Sequence, residues 1–67
     1  MMTREEAEKA IETNEWITYC DEFRAKVESI RMIGDMLCLA ALVEVGESKT
    51  IYVRSPAEYF DLKKGKQ

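Results

Sequence analysis

The chain has 67 residues, 46% apolar and 34% charged, with a formal net charge of −3 and no histidine. That length admits one core, and the composition is that of a globular chain rather than a disordered one. The longest apolar run, Met36 to Val43, is less than half the ~20 residues a membrane helix needs, so no membrane partner is expected.

The first predicted element is a helix over 3–13. Thr3 and Glu6 have capping-box spacing, in which hydroxyl and carboxylate each satisfy an N–H with no partner inside the helix. Glu5, Glu6 and Glu8 suit the positive end of the helix dipole, and Arg4–Glu8 and Glu5–Lys9 are spaced for ion pairing. Ala7, Ala10 and Ile11 form a narrow apolar stripe, and Thr13-Asn14 ends the run. So short a helix is marginal alone in water and is expected to dock.

A β-rich body over 15–54 follows. Trp16 to Cys20 reads as a strand, and Asp21-Glu22 as a polar break. Phe23, Ala25 and Val27 alternate with Arg24, Lys26 and Glu28; Ile30 and Met32 then fall out of phase, which predicts a bulge near Glu28-Ser29. Gly34-Asp35 signals a turn, and the apolar run from Met36 to Val45 predicts a central strand covered on both faces. Gly46 to Lys49 reads as a hairpin loop and Thr50 to Arg54 as a strand. A helix over 21–45 competes, because Phe23, Val27, Ile30, Ile33 and Leu37 also share a helical face. Gly34-Asp35 and the unstriped run 40–45 favour the strands.

Ser55-Pro56-Ala57-Glu58 has the pattern of a capped helix start, predicting a helical turn over 56–62 that presents Tyr59, Phe60 and Leu62 to the body. Lys63, Lys64 and Lys66 make a basic tail over 63–67. The expected fold class is α+β: a single domain over 1–67, with an N-terminal helix packed on a small bent antiparallel sheet and a short C-terminal helical turn.

The strand Glu15-Trp16-Ile17-Thr18-Tyr19, the segment Phe23-Arg24-Ala25-Lys26-Val27-Glu28-Ser29-Ile30, and the run Ile51 to Glu58 together resemble a small SH3-like barrel of the Tudor and chromo type over residues 16–60. The resemblance implies a bent antiparallel sheet serving as a binding module, with an aromatic cage that holds methylated lysine or arginine by cation–π attraction. Trp16, Tyr19, Phe23 and Tyr52 are the matching aromatics. The chain departs from the pattern in its leading helix and in lacking an aromatic near 46–49. Trp16 and Phe23 are expected in the core, leaving Tyr19 and Tyr52 as the better binding candidates.

No catalytic constellation is legible. Cys20 and Cys38 have no histidine base and are too few for a structural zinc site; both are expected to be reduced and buried. The carboxylates Asp21-Glu22 point apart, the three glycines at 34, 46 and 65 are isolated, and the methionines look scattered. The chain is therefore expected to be no enzyme and to need no metal or other cofactor. The opening Met1-Met2-Thr3-Arg4-Glu5-Glu6 turns acidic without an apolar signal region, so a cytoplasmic location is expected.

The expected function is a small module that binds a protein partner through an exposed aromatic and acidic surface, in a size class common among phage and mobile-element proteins. Alternatives are a nucleic-acid-associated SH3-like protein and a self-associating structural or inhibitory one. A homodimer is expected through unpaired edges at Trp16–Cys20 or Thr50–Arg54. Nucleic acid is the less favoured partner: the body is acidic, and the phase slip is expected to send Arg31 away from the face shared by Arg24 and Lys26.

Overall fold

The structure, a computed structural model, describes residues 1–62; the basic tail lies outside them. Helix α1 (Arg4–Thr13) begins at the capping box, where the Thr3 hydroxyl accepts from the Glu6 N–H at 3.1 Å. The Glu6 carboxylate accepts in turn from the Thr3 N–H at 3.0 Å. Asn14, at φ 62°, ends the helix in the left-handed region and turns its N–H back to the carbonyls of Ala10 and Ile11. No helix among the described residues is long and apolar enough to cross a membrane.

Five strands follow: β1 (Trp16–Tyr19), β2 (Phe23–Ile33), β3 (Met36–Gly46), β4 (Lys49–Pro56) and β5 (Phe60–Asp61). All pairings are antiparallel, in the order β4-β3-β2-β1-β5. Residues 21–45 are thus two turns and two strands rather than a helix. Gly34 takes φ +63°, which only glycine adopts at little cost, and closes the β2–β3 hairpin so that Ile33 faces Met36. The register shifts between Val27 and Ser29, where the apolar alternation slips.

The sheet must curl. In a flat sheet β4 and β5 would lie about 19 Å apart, at four strand spacings. Only the 3₁₀ turn Ala57–Tyr59 joins them, and at about 2 Å of rise per residue it cannot span that gap. The Tyr19 hydroxyl also meets Ser55 Oγ at 2.8 Å, although β1 and β4 are separated by two intervening strands. The curled sheet remains open rather than closed.

Inside the curl lies the core. Phe60, Met2, Ile17, Leu39 and Val43 are its largest fully buried side chains. Ala7 and Ala10 bring α1 down onto β2, and Ala25 and Ala41 share their core; with no side chain beyond Cβ, such positions permit close approach. Tyr19 and Phe23 pack at the margin of this core, and the Tyr19 ring lies 4.8 Å from that of Phe60.

Four expectations need correction. Ser55 caps nothing: β4 continues through Pro56, the turn has no side-chain cap, and the Ser55 hydroxyl is engaged by Tyr19. The expected helical turn over 56–62 is one 3₁₀ turn followed by β5, so only Phe60 enters the core while Tyr59 and Leu62 are exposed. Cys20 is exposed, because it and Asp21, both at φ 56°, form the turn between β1 and β2; Cys38 is buried as expected. Strand β1 is no free edge along Thr18–Tyr19, which pair with β5, so the long open edge is β4.

Candidate functional site

Residues paired across neighbouring strands project to the same face of a sheet, so the register assigns every side chain to one side. The inner face carries Ile17–Ala25–Val43–Ile51, Tyr19–Phe23, Val27–Ala41–Val53 and Ile30–Leu39–Ser55. The outer face carries the row Trp16–Lys26–Leu42–Tyr52 and, beside it, Thr18–Arg24–Glu44–Thr50. Farther along it stand Ser29–Ala40–Arg54 and Arg31–Cys38–Pro56.

The four candidate aromatics therefore split. Tyr19 and Phe23 face inward beside one another, whereas Trp16 and Tyr52 share the outer face at opposite ends of one row. Three strand spacings, about 14 Å in a flat sheet, separate those ends, so the four do not converge into one cage. Trp16 is half-buried rather than in the core, and its ring is already covered by cations of its own chain. The Arg24 guanidinium lies 4.3 Å from the ring centroid and the Lys26 ammonium 5.2 Å. Arg24 also reaches the Glu44 carboxylate at 3.7 Å. Tyr52 is the most exposed aromatic among the described residues, at 56%.

The aromatic surface and the acidic surface turn out to be different surfaces. Glu5, Glu8 and Glu12 are exposed on α1, which covers the inner side of the sheet. On the outer side the aromatics are interleaved with Arg24, Lys26 and Arg54, and Arg31 joins them. That last placement reverses an expectation. The bulge adds one residue to β2, so the outward positions change from even numbers before it to odd numbers after it. The phase slip was legible in the sequence; its effect on Arg31 required knowing that the extra residue is left unpaired.

At the β1 end of the row a groove of about 450 Å³ is lined by Glu15, Trp16, Ile17 and Leu62. Among the described residues no group of three or more histidine, cysteine or carboxylate side chains is placed to hold a metal ion. Leu42 is an outer-face residue that sequence reasoning passed over. Leu42 sat inside an apolar run that suggested burial on both faces, and only the pairing register shows which side it takes. Compared with protein-family models, curated proteins and solved structures, the chain matches none.

Proposed function

We propose that this chain is a small non-enzymatic interaction module of SH3-like build, whose outer face binds an acidic segment of a partner protein. The SH3-like reading is supported by the antiparallel meander, by the fifth strand returning beside the first after a single 3₁₀ turn, and by the Tyr19–Ser55 contact across the curl. The observation that carries the binding reading is the row Trp16–Lys26–Leu42–Tyr52, which sets two aromatic rings, an aliphatic side chain and a cation across four strands. Apolar side chains of a peptide pack on such a row while its carboxylates meet Lys26, Arg24 and Arg54, arginine being suited to two parallel bonds with a carboxylate. Trp16, held under two cations, loses little freedom on binding.

A synthetic peptide rich in Asp, Glu and Tyr, titrated while the emission of the single tryptophan is followed, tests this. The expected result is a saturable change at micromolar peptide, weakened about tenfold or more by Tyr52→Ala and by Lys26→Glu. A lysine-rich peptide of equal length should leave the emission unchanged. Equal responses to both peptides, or none to either, remove the reading.

A second reading, single-stranded nucleic acid, is favoured by the bulge that puts Arg31 on the face of Arg24, Lys26 and Arg54. Four phosphate contacts give a slope of only about −3 in log K against log salt, too few to sustain tight binding at physiological salt. Labelled oligonucleotides at about 150 mM salt are expected to show no saturation at low micromolar protein. Saturable binding that weakens steeply with added salt would put nucleic acid first.

A further inference from the structure

Two inner rows of the sheet lose their cover at β4. Val43 is fully buried, but its partner Ile51 on β4 is 40% exposed. Ala41 is likewise buried, and its partner Val53 only half-buried. Among the described residues no strand pairs with the far side of β4, so its outward N–H and C=O groups form an edge that a further strand can join. The opposite end of the sheet offers no such length, since β5 has two residues.

The charge of this edge is one-sided. Strand β4 contains Lys49 and Arg54 and no acidic residue, and neither cation is in an ion pair among the described residues. Of the nearby carboxylates, Glu44 on β3 is engaged by Arg24, and Glu47 stands in the loop before the strand. The register places the two cations on different faces. Arg54 lies on the outer face with Thr50 and Tyr52, and Lys49 on the inner face with Ile51 and Val53. A second copy would bring the same two cations and no carboxylate, so like charges oppose pairing of β4 with β4. An extended acidic segment brings the complementary charge.

We infer that an extended segment of a partner protein joins β4 antiparallel as a sixth strand, its residues running acid, aliphatic, polar, aliphatic, polar, acid. Antiparallel addition continues the pairing already present throughout the sheet. Directly opposed residues share a face, so the two acids meet Arg54 and Lys49 while the aliphatic residues cover Val53 and Ile51. The polar residues lie beside Tyr52 and Thr50. Backbone hydrogen bonds to the edge supply affinity, and the alternating side chains supply specificity. The edge shares Tyr52 and Arg54 with the outer-face reading but does not rest on it, because its cations and uncovered rows are features of β4 itself.

Fluorescence anisotropy of a labelled peptide, Glu-Val-Thr-Val-Thr-Glu, tests this on the unaltered chain, with saturable binding expected at micromolar protein. In an added strand alternate N–H groups face β4 and the others face solvent. N-methylation at every second peptide residue is therefore expected to weaken binding about tenfold or more, and at the residues between to change it by less than about twofold. The same residues shuffled to Val-Val-Glu-Glu-Thr-Thr are expected to lose about tenfold or more. K49E/R54E, its fold checked by circular dichroism, is expected to lose as much and to recover with Lys-Val-Thr-Val-Thr-Lys. No saturable binding, N-methylation that acts without alternation, equal binding of the shuffled peptide, or a folded K49E/R54E that the basic peptide does not rescue would each overturn the proposal. Trp16 stands on β1, at the far end of its row from Tyr52, so its emission reports the outer face separately. Loss of alternation with an intact Trp16 response removes the edge proposal alone; alternation without a Trp16 response removes the outer-face reading alone.

Discussion

Single residues carry more of this structure than their types suggest. The hydrogen bond between Tyr19 and Ser55 joins strands that are not neighbours in the sheet, and it is part-buried. Removing either hydroxyl leaves the other without its partner, so Tyr19→Phe and Ser55→Ala are each expected to cost about 0.5–1.5 kcal/mol. The two losses should fall well short of additive in a double-mutant cycle read by urea denaturation, because both delete the same bond. Full additivity would mean that the hydroxyls act separately and that the clasp contributes nothing. Sequence reading assigned Ser55 to a helix cap because Ser-Pro-Ala-Glu fits that pattern locally. The pattern was overridden by pairing between Ser55 and Leu39, which extends the strand. Thr3 followed the same local rule and kept its role, since nothing across the sheet competes for residues 3–6.

At the scale of elements, the turns decide where strands begin and end. Gly34 sits at φ +63° with nothing within 4 Å of the position a Cβ would take, so alanine there meets backbone strain and no clash. Gly34→Ala is expected to lower stability by about 1–2 kcal/mol, the cost of a left-handed L-residue. Gly46 also has open space but no positive φ, so Gly46→Ala should be neutral or stabilising by up to about 1 kcal/mol. Parallel urea titrations check the pair; equal losses would show that the hairpin turn makes no special demand at Gly34. The strands, the bulge near Glu28-Ser29 and the Gly34-Asp35 turn were legible because alternation and glycine placement are local signals. The two-residue strand β5 was not, because Phe60-Asp61 acquires its conformation only by lying against Thr18 and Tyr19, some forty residues earlier.

The whole molecule is polar in both charge and chemistry. An acidic helix covers one side of a curled sheet, and the other side presents rings among cations. Net charge alone obscured this division, and so did the choice of candidates by residue type. Trp16, Tyr19, Phe23 and Tyr52 are alike as aromatics, but the register puts two in the interior and two outside. The long open edge is β4, which carries Lys49, Arg54 and Pro56, residues that discourage indiscriminate edge pairing. Interaction through the outer face is the central claim, and site-directed photocrosslinking in cells tests it most directly. A crosslinking amino acid at Thr50, exposed beside the aromatic row, is expected to capture a partner protein through an acidic segment, while the same group at Glu12 on α1 captures none. Capture from Glu12 alone, or capture of nucleic acid rather than protein at Thr50, would contradict it.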